Sequence, residues 1–335
     1  MNGILLIDKP RDMTSFGVVS RVRKLSGQRR VGHTGTLDPF ADGLLPVCIG
    51  RATHVVRYMD GYDKKYRVRA VFGRATDTQD LTGNTVFCHP PSEEERRQLL
   101  CSDFAVLRQA VNGLVGKREQ IPPMYSAVKV AGRPLYAYAR KGETIERKSR
   151  PIEIYAADLE TVGLERVDQA ETMTATLVIH CTKGTYIRSL VDDLGRQLGY
   201  GAYADRLTRL TCGPYRLEDA QNLEVLFARF RACPDIGAFW QEMAAEGRLL
   251  APRTALSGFQ TVLLTETEAL RLITGQPLSL PADAAGLPES AAGRPVVFAS
   301  RDQMIAVGLL EQEQADAYRV HTERVLIDLA DFRQT

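Results

Sequence analysis

Two residues far apart in the chain have types and contexts that suit one another chemically. Asp38 lies in Leu37-Asp38-Pro39, inside the stretch from Val31 to Thr53, VGHTGTLDPFADGLLPVCIGRAT. The following proline biases Asp38 away from helical backbone and puts its carboxylate on a loop. Gly32, Gly35 and Gly43 let that loop take positive φ or pass close to another surface. Arg188 falls at about the third position of an expected helix, capped by Thr185, with the core stripe Ile187, Leu190, Val191, Leu194 and Leu198. A cation there opposes the helix dipole and calls for an anion to offset it; Asp38 is the candidate. A guanidinium within about 4–6 Å lowers a carboxylate's pKa and can grip both oxygens. A carboxylate kept ionised in an enclosed site serves as nucleophile or base, much as in glycoside chemistry. On residue types alone a plainer account also holds, because Asp-Pro followed by Asp-Gly is ordinary turn chemistry between two strands.

The elements that must position this pair follow from periodicity. Gly3 to Ile7 reads as a strand, and Thr14 or Ser15 caps a helix with the stripe Val18, Val19, Val22 and Leu25, ended by Gly27. The apolar run Leu44 to Ile49 follows the Asp38 loop. Tyr66, Val68, Ala70 and Phe72 share one face of a strand, as do Met173, Ala175, Leu177, Ile179 and Cys181 of another. Asp77, Asp80 and Gly83 mark a polar loop. Ser92-Glu93-Glu94-Glu95 opens one helix, and a second lies near Asp103 to Val111. The region Gln221 to Ala251 reads as helical, without chemistry attached. Short strands then return at Thr261–Leu264, Pro295–Phe298, Ile305–Leu310 and Val325–Leu329, with Pro277 to Pro288 rich in Ala, Pro and Gly between them.

With 335 residues, 44% of them apolar and 25% charged, the chain fits an ordinary soluble protein of two domains, or of one with an appendage. Its net charge of +2 says nothing about nucleic acid, but the distribution does. Lys9 to Arg30 holds seven basic residues and one acidic, Gly116 to Arg150 nine and three, and Arg301 to Thr335 four and seven. A polyanion would dock on the first half. Gly116 to Gly142 combines Lys117, Arg118, Lys129, Arg133, Arg140 and Lys141 with Tyr125, Tyr136 and Tyr138, a mixture that suits looped RNA through phosphate pairing and base stacking. A surface hairpin with tyrosines packed on the domain would have the same composition. The six cysteines are widely spaced with no C-x-x-C, which disfavours disulfide and zinc frameworks and fits a reducing cytoplasm. No apolar run suggests a signal peptide or a membrane span.

Read as a whole string, Gly32-His33-Thr34-Gly35-Thr36-Leu37-Asp38-Pro39, with Ala41, Gly43-Leu44-Leu45-Pro46 and Gly50, closely resembles the catalytic motif of bacterial tRNA pseudouridine synthases of the TruB family. Lys9-Pro10 with Thr14-Ser15, Asp63-Lys64 with Tyr66, Thr76-Asp77-Thr78 with Asp80, Pro123-Met124-Tyr125-Ser126-Ala127, and Lys183-Gly184-Thr185-Tyr186-Ile187-Arg188 follow in the family's order. The likeness is dense over about residues 3 to 215 and faint beyond. Two departures stand out: Asp12 where the family usually has Gly, a turn that Asp tolerates, and Tyr203 where many relatives carry His, expected beside the pocket.

The resemblance implies an α+β fold: a mixed, mainly antiparallel sheet in a catalytic domain over residues 1–250, with a thumb insertion at about 116–142, and a small PUA-like β-barrel domain over 251–335. It implies isomerisation of uridine 55 in the tRNA T loop, on a base flipped out of its stack. That reaction breaks a C–N glycosidic bond, turns the uracil and rejoins it through carbon, and calls for no cofactor or metal. Asp38 is the implied catalytic group, Tyr66 stacks on the uracil, Tyr186 contacts it, Leu207 closes the wall, His33 meets the extruded RNA, and Arg188 completes the substrate-binding set. The implied partner is the tRNA T arm, with no guide RNA and no membrane, for a cytoplasmic monomer. Two other readings remain: an RNA-binding protein that refolds the tRNA elbow with catalysis secondary, and a guide-RNA-dependent synthase, against which the bacterial-like thumb and the lack of long basic tails argue.

Overall fold

The computed structural model describes residues 1–167, 170–281, 284, 295–301, 303–314 and 317–333. Strands that are mostly buried, almost continuously so in Gly3–Lys9 and Asp42–Ile49, build a mixed, mainly antiparallel sheet. Its path runs Gln221–Asn222, Gly3–Lys9, Asp42–Ile49, Ala202–Cys212, Lys64–Phe72, Ala170–Cys181, Arg150–Val167 and Gly116–Gln120. Two contacts on this path are parallel: Gly3–Lys9 with Gln221–Asn222, and Asp42–Ile49 with Ala202–Cys212. The second joins Thr208 to Asp42 and Arg209 to Gly43, the seam between the two halves of the sheet. Gly43 permits it: its φ is +96°, and a Cβ there would stand 2.6 Å from the Arg209 carbonyl oxygen.

One sheet face carries Val68, Ala70, Phe72, Met173, Ala175, Leu177 and Ile179 against the helices Ile187–Leu198 and Ala105–Asn112. The helix Ser15–Ser26, capped by the Thr14 hydroxyl and ended by Gly27 in left-handed backbone, packs Val18, Val19, Val22 and Leu25 with Leu5, Ile7, Leu226, Phe239 and Trp240. Asp12 adopts φ +62°, so the departure from glycine leaves the turn intact. The Glu93–Cys101 helix opens with a full Ser92–Glu95 capping box.

A second, five-stranded sheet, ordered Thr261–Leu263, Val296–Ser300, Gln303–Gln314, Ala317–Val325 and Ser279–Pro281, encloses Val262, Leu272, Phe298, Ile305 and Leu310 as a PUA-like domain. It is docked on the first sheet: Val297 and Val307 share an apolar cluster with Ile4, Cys48 and Met59. At its margin Arg51 pairs with Asp328 and Asp331, and Tyr58 donates to Glu323 over 3.0 Å.

Three expectations need correction. Gly116–Gln120 is an edge strand paired to Arg150–Ile154, so the excursion from the sheet begins after Gln120. Thr185 does not cap its helix, because its hydroxyl bonds the Thr182 carbonyl over 3.0 Å; Tyr186 is the N-cap and Arg188 the second helical residue. The last strand ends at Val325, and Leu329–Arg333 is a helical turn. Of the stretch Pro277 to Pro288, residues 282–283 and 285–288 lie outside the described residues.

Candidate active site

Asp38 sits on the loop between the Val31–His33 and Asp42–Ile49 strands, and neighbouring segments fix that loop by its backbone. Leu37, Phe40 and Ala41 anchor it in the core. The Ser15 hydroxyl takes a hydrogen bond from the Leu37 amide (2.9 Å), and the Asp12 amide donates to the Pro39 carbonyl (2.8 Å). Lys9 is wholly buried, and its ammonium donates to the carbonyls of Met13 (2.6 Å), Pro10 (2.9 Å) and Pro39 (3.3 Å). The Lys9-Pro10 and Thr14-Ser15 motif is thus the brace of the Asp38 loop. Burial lowers the Lys9 pKa to about 8, with Asp42 and Asp38 pulling it back.

Arg188 is 3% exposed and uses its whole guanidinium. Nε and Nη2 grip the two Asp38 oxygens at 2.9 and 3.2 Å, a fork on a carboxylate. Nη1 donates to the Thr78 carbonyl (2.5 Å) and Nη2 to the Tyr125 carbonyl (2.8 Å). Asp80 stands 3.4 Å from Nη1, its other oxygen held by the Thr78 hydroxyl and by the Thr82 amide and hydroxyl at 2.8, 2.9 and 2.6 Å. Two carboxylates therefore offset the cation at this helix start, where one was expected. Four of the quoted motifs meet on one guanidinium: the Asp38 loop, the Thr76–Asp80 turn, Tyr125, and the Arg188 helix itself.

The Asp38 side chain keeps 35% of its surface open, at the floor of a deep cleft. Burial there pushes its pKa above the usual carboxylate range; Arg188 opposes the rise and the nearby Asp80 charge adds to it. The expectation that Arg188 would set the direction is corrected: desolvation wins, and the guanidinium limits it.

A cavity of about 1270 Å³ gathers His33, Asp38, Tyr66, Tyr186, Arg188 and Leu207 on one wall system. Tyr66 and Leu207 come from adjacent antiparallel strands. Tyr186 is fixed by Gln120, whose amide oxygen accepts from its backbone N–H (2.8 Å) and whose amide nitrogen donates to its carbonyl (3.0 Å). His33 ends its strand half-buried, and burial lowers its pKa. The excursion after Gln120 forms the rim: Tyr136 and Arg140 line the cavity, the Arg140 guanidinium 5.4 Å from the Tyr136 ring centroid. Lys129 and Arg133 are exposed on its short hairpin. Tyr203, expected beside the pocket, is buried under Arg74 (4.7 Å) and does not line it. From the sequence, Asp80, Lys9 and Lys64 stand inside motifs, and Arg209 inside the string Arg206–Leu210 around Leu207, without tasks of their own, and Gln120 carries no mark. All five are polar and buried, which shows only once the fold is known.

Residues 23–187 match the model of the TruB family pseudouridylate synthase N-terminal domain. The chain is 39% identical over 289 residues to a tRNA pseudouridine synthase B of Sodalis glossinidius, covering 86% of each chain. It is 42% identical over 229 residues to the Bacillus subtilis protein of the same name, covering 68% of this chain and 71% of that one. Among solved structures, a Cbf5-Nop10-Gar1 complex superposes with a TM-score of 0.69 at 23% identity, over 98% of this chain and 86% of that chain, a likeness of fold. Among the described residues no helix is long and apolar enough to cross a membrane.

Proposed function

The chain belongs to the TruB family of pseudouridylate synthases and forms pseudouridine in tRNA, and from that premise we propose that it acts on uridine 55 of the T loop with Asp38 as nucleophile. The observation that carries this reading is the forked Asp38–Arg188 pair on the floor of a cavity large enough for a nucleotide. The uracil, turned out of the RNA stack, lies between Tyr66 and Leu207 with Tyr186 beside it. Its glycosidic carbon faces Asp38. The carboxylate attacks that carbon while Arg188 holds both oxygens in place, so orientation costs little at the moment of reaction. His33 meets the extruded strand at the mouth. Lys129, Arg133 and Arg140 pair with phosphates of the T arm, and a single chain binds the tRNA without a guide RNA. Residues 1–250 act as the catalytic domain and 251–335 as an appended β domain.

The competing reading, a refolding activity at the tRNA elbow with catalysis secondary, is separated by Asp38→Asn. This variant keeps the shape but loses the charge, and its one amide oxygen can accept only one of the two Arg188 hydrogen bonds. Pseudouridine mapping on unmodified tRNA transcript should find isomerisation abolished with tRNA affinity retained. Isomerisation near the wild-type rate would remove Asp38 from its role.

A further inference from the structure

The strand face that walls the base pocket carries two cations to which the reading above gives no task. Arg209 stands directly opposite Tyr66 on adjacent antiparallel strands. Side chains alternate along a strand, so Leu207 shares the face of Arg209, and Lys64 that of Tyr66. All four line the cavity. Arg209 is wholly buried; its Nε donates to the Leu44 carbonyl (2.7 Å) and its Nη1 to the Gly35 carbonyl (2.8 Å), while its Nη2 is closed off from solvent with no partner at ordinary hydrogen-bond distance, the Tyr66 hydroxyl being the polar group that interacts with Arg209 across the strands. Lys64 is 5% exposed, its ammonium turned to the Tyr62 carbonyl. Among the described residues neither makes an ion pair. Asp60 acts on Lys64 from beyond ion-pair distance, and one of its oxygens accepts from the Thr34 hydroxyl (3.2 Å). The Asp38 loop rests on both cations: a Cβ at Gly35 would stand 3.0 Å from Arg209 Nη1 and 3.6 Å from Lys64 Cε.

Two buried cations side by side, with Asp60 only beyond ion-pair distance, are costly to keep charged unless an anion arrives. On the reading above, the space beside them takes the base rather than a phosphate. The reaction supplies a better fit. When the C1′–N1 bond breaks, its electron pair leaves with the uracil, whose negative charge spreads over N1, O2 and O4, while an Asp38 oxygen bonds C1′. On return, C5 of the turned base attacks C1′ and the Asp38 bond breaks, its electron pair returning to the carboxylate. C5 then gives up its proton and N1 takes one from solvent. Donors already aimed at developing charge in a water-poor site act strongly in such a step.

We propose that Arg209, supported by Lys64, holds the negative charge of the uracil that departs from C1′. This rests on the reading of Asp38 as nucleophile. The test compares single-turnover rates on tRNA carrying uridine or 5-fluorouridine at the target, read as loss of the intact nucleoside because fluorine cannot leave C5 as a proton would. The fluorinated base is more acidic and departs with less help. Arg209→Met should slow the uridine substrate about 10²- to 10³-fold, as for loss of one charge-stabilising donor, and the fluorinated substrate clearly less, with tRNA affinity little changed. Lys64→Met, which leaves the Gly35 and Leu44 tethers intact, should show the same substrate-dependent loss and decides the matter if Arg209→Met fails to fold. An equal fold-loss on both substrates would reduce the two cations to scaffolding and overturn the proposal while leaving Asp38 in place. Continued isomerisation by Asp38→Asn would overturn the Asp38 reading and this one with it.

Discussion

Replacing Arg188 by Met is the sharpest perturbation of the pair at the cavity floor. It removes two charge-assisted hydrogen bonds to Asp38, at 2.9 and 3.2 Å, and two to the carbonyls of Thr78 and Tyr125. It also strips both Asp38 and Asp80 of their shared cation. Breaking a buried ion pair from one side typically costs about 3–5 kcal/mol, mostly as the penalty on the charge left behind. Asp38 can escape that penalty by taking up a proton, and burial already holds its pKa above the ordinary range. With Arg188 gone the one strong opposing influence is gone, so the pKa rises further. On the proposed role Asp38 acts ionised, so the acidic limb of the pH–rate profile should move upward, towards neutrality. If the full cost falls on the ionised state, the rate at neutral pH drops about 10²- to 10⁴-fold. Arg188→Lys keeps a charge but not the fork, and should recover part of the rate. The assay is single-turnover isomerisation of tRNA, followed by tritium release from C5-labelled uridine across the pH range, with tRNA affinity measured separately. An unshifted acidic limb together with sharply weaker tRNA binding would make Arg188 a phosphate contact and end the argument for the pair.

Other outcomes follow from neighbouring residues. Asp80→Asn should move the acidic limb the opposite way, downward, since the Asp80 charge raises the Asp38 pKa and Arg188 keeps its other anchors; an upward shift would show that Asp80 acts chiefly by holding Arg188. Neutralising Lys129, Arg133 and Arg140 together should weaken tRNA binding and flatten the slope of log affinity against log salt by up to about 0.7–0.9 for each phosphate left unpaired, and an unchanged slope would take the rim away from the RNA. Lys9 has a folded pKa of about 8 against 10.5 for the free side chain, so its burial penalty is fully present below pH 8 and is relieved as pH rises towards 10.5. The stability difference between wild type and Lys9→Met, from denaturant unfolding, should therefore shift in favour of wild type by about 3 kcal/mol over that window, at about 1.36 kcal/mol per pKa unit. A flat difference would mean that Lys9 stays charged throughout.

Much of the scaffold was legible because its signals are periodic. The Val18–Leu25 stripe and the alternation of Met173–Cys181 each specify an element and its buried face. Local chemistry failed where two options satisfied the same backbone group. Thr185 is a good cap by type, but its hydroxyl reaches back to Thr182, and the helix starts one residue later than a Thr185 cap would set it. The Gly116–Gln120 strand was hidden because its charged residues, Lys117, Arg118 and Glu119, belong to an edge strand, where exposed charge is tolerated and carries no alternation. The acidic end of the chain looked like an argument against RNA. In the structure Glu323, Asp328 and Asp331 face Arg57, Arg51 and Tyr58 of the first sheet's domain, so part of that charge is the complement of a docking surface.

The site itself divides along the same line. Asp38 and Arg188 could be paired from the sequence because each lies in a context that is uncomfortable alone: a carboxylate on an enclosed loop, and a cation at the positive end of a helix. Arg209 gave no such sign. Its discomfort arises only when the Ala202–Cys212 strand passes under the Gly35 loop in parallel register with Asp42–Ile49. That contact depends on a glycine some 170 residues away in the chain. A residue whose charge becomes costly only through tertiary burial cannot be recognised from its neighbours in sequence, and the same burial makes it strong in chemistry. The Nη2 of Arg209 is therefore informative in a way that the exposed arginines of the rim are not: water can satisfy those, whereas this one is closed off from water beside the Tyr66 side chain, in the wall of the pocket.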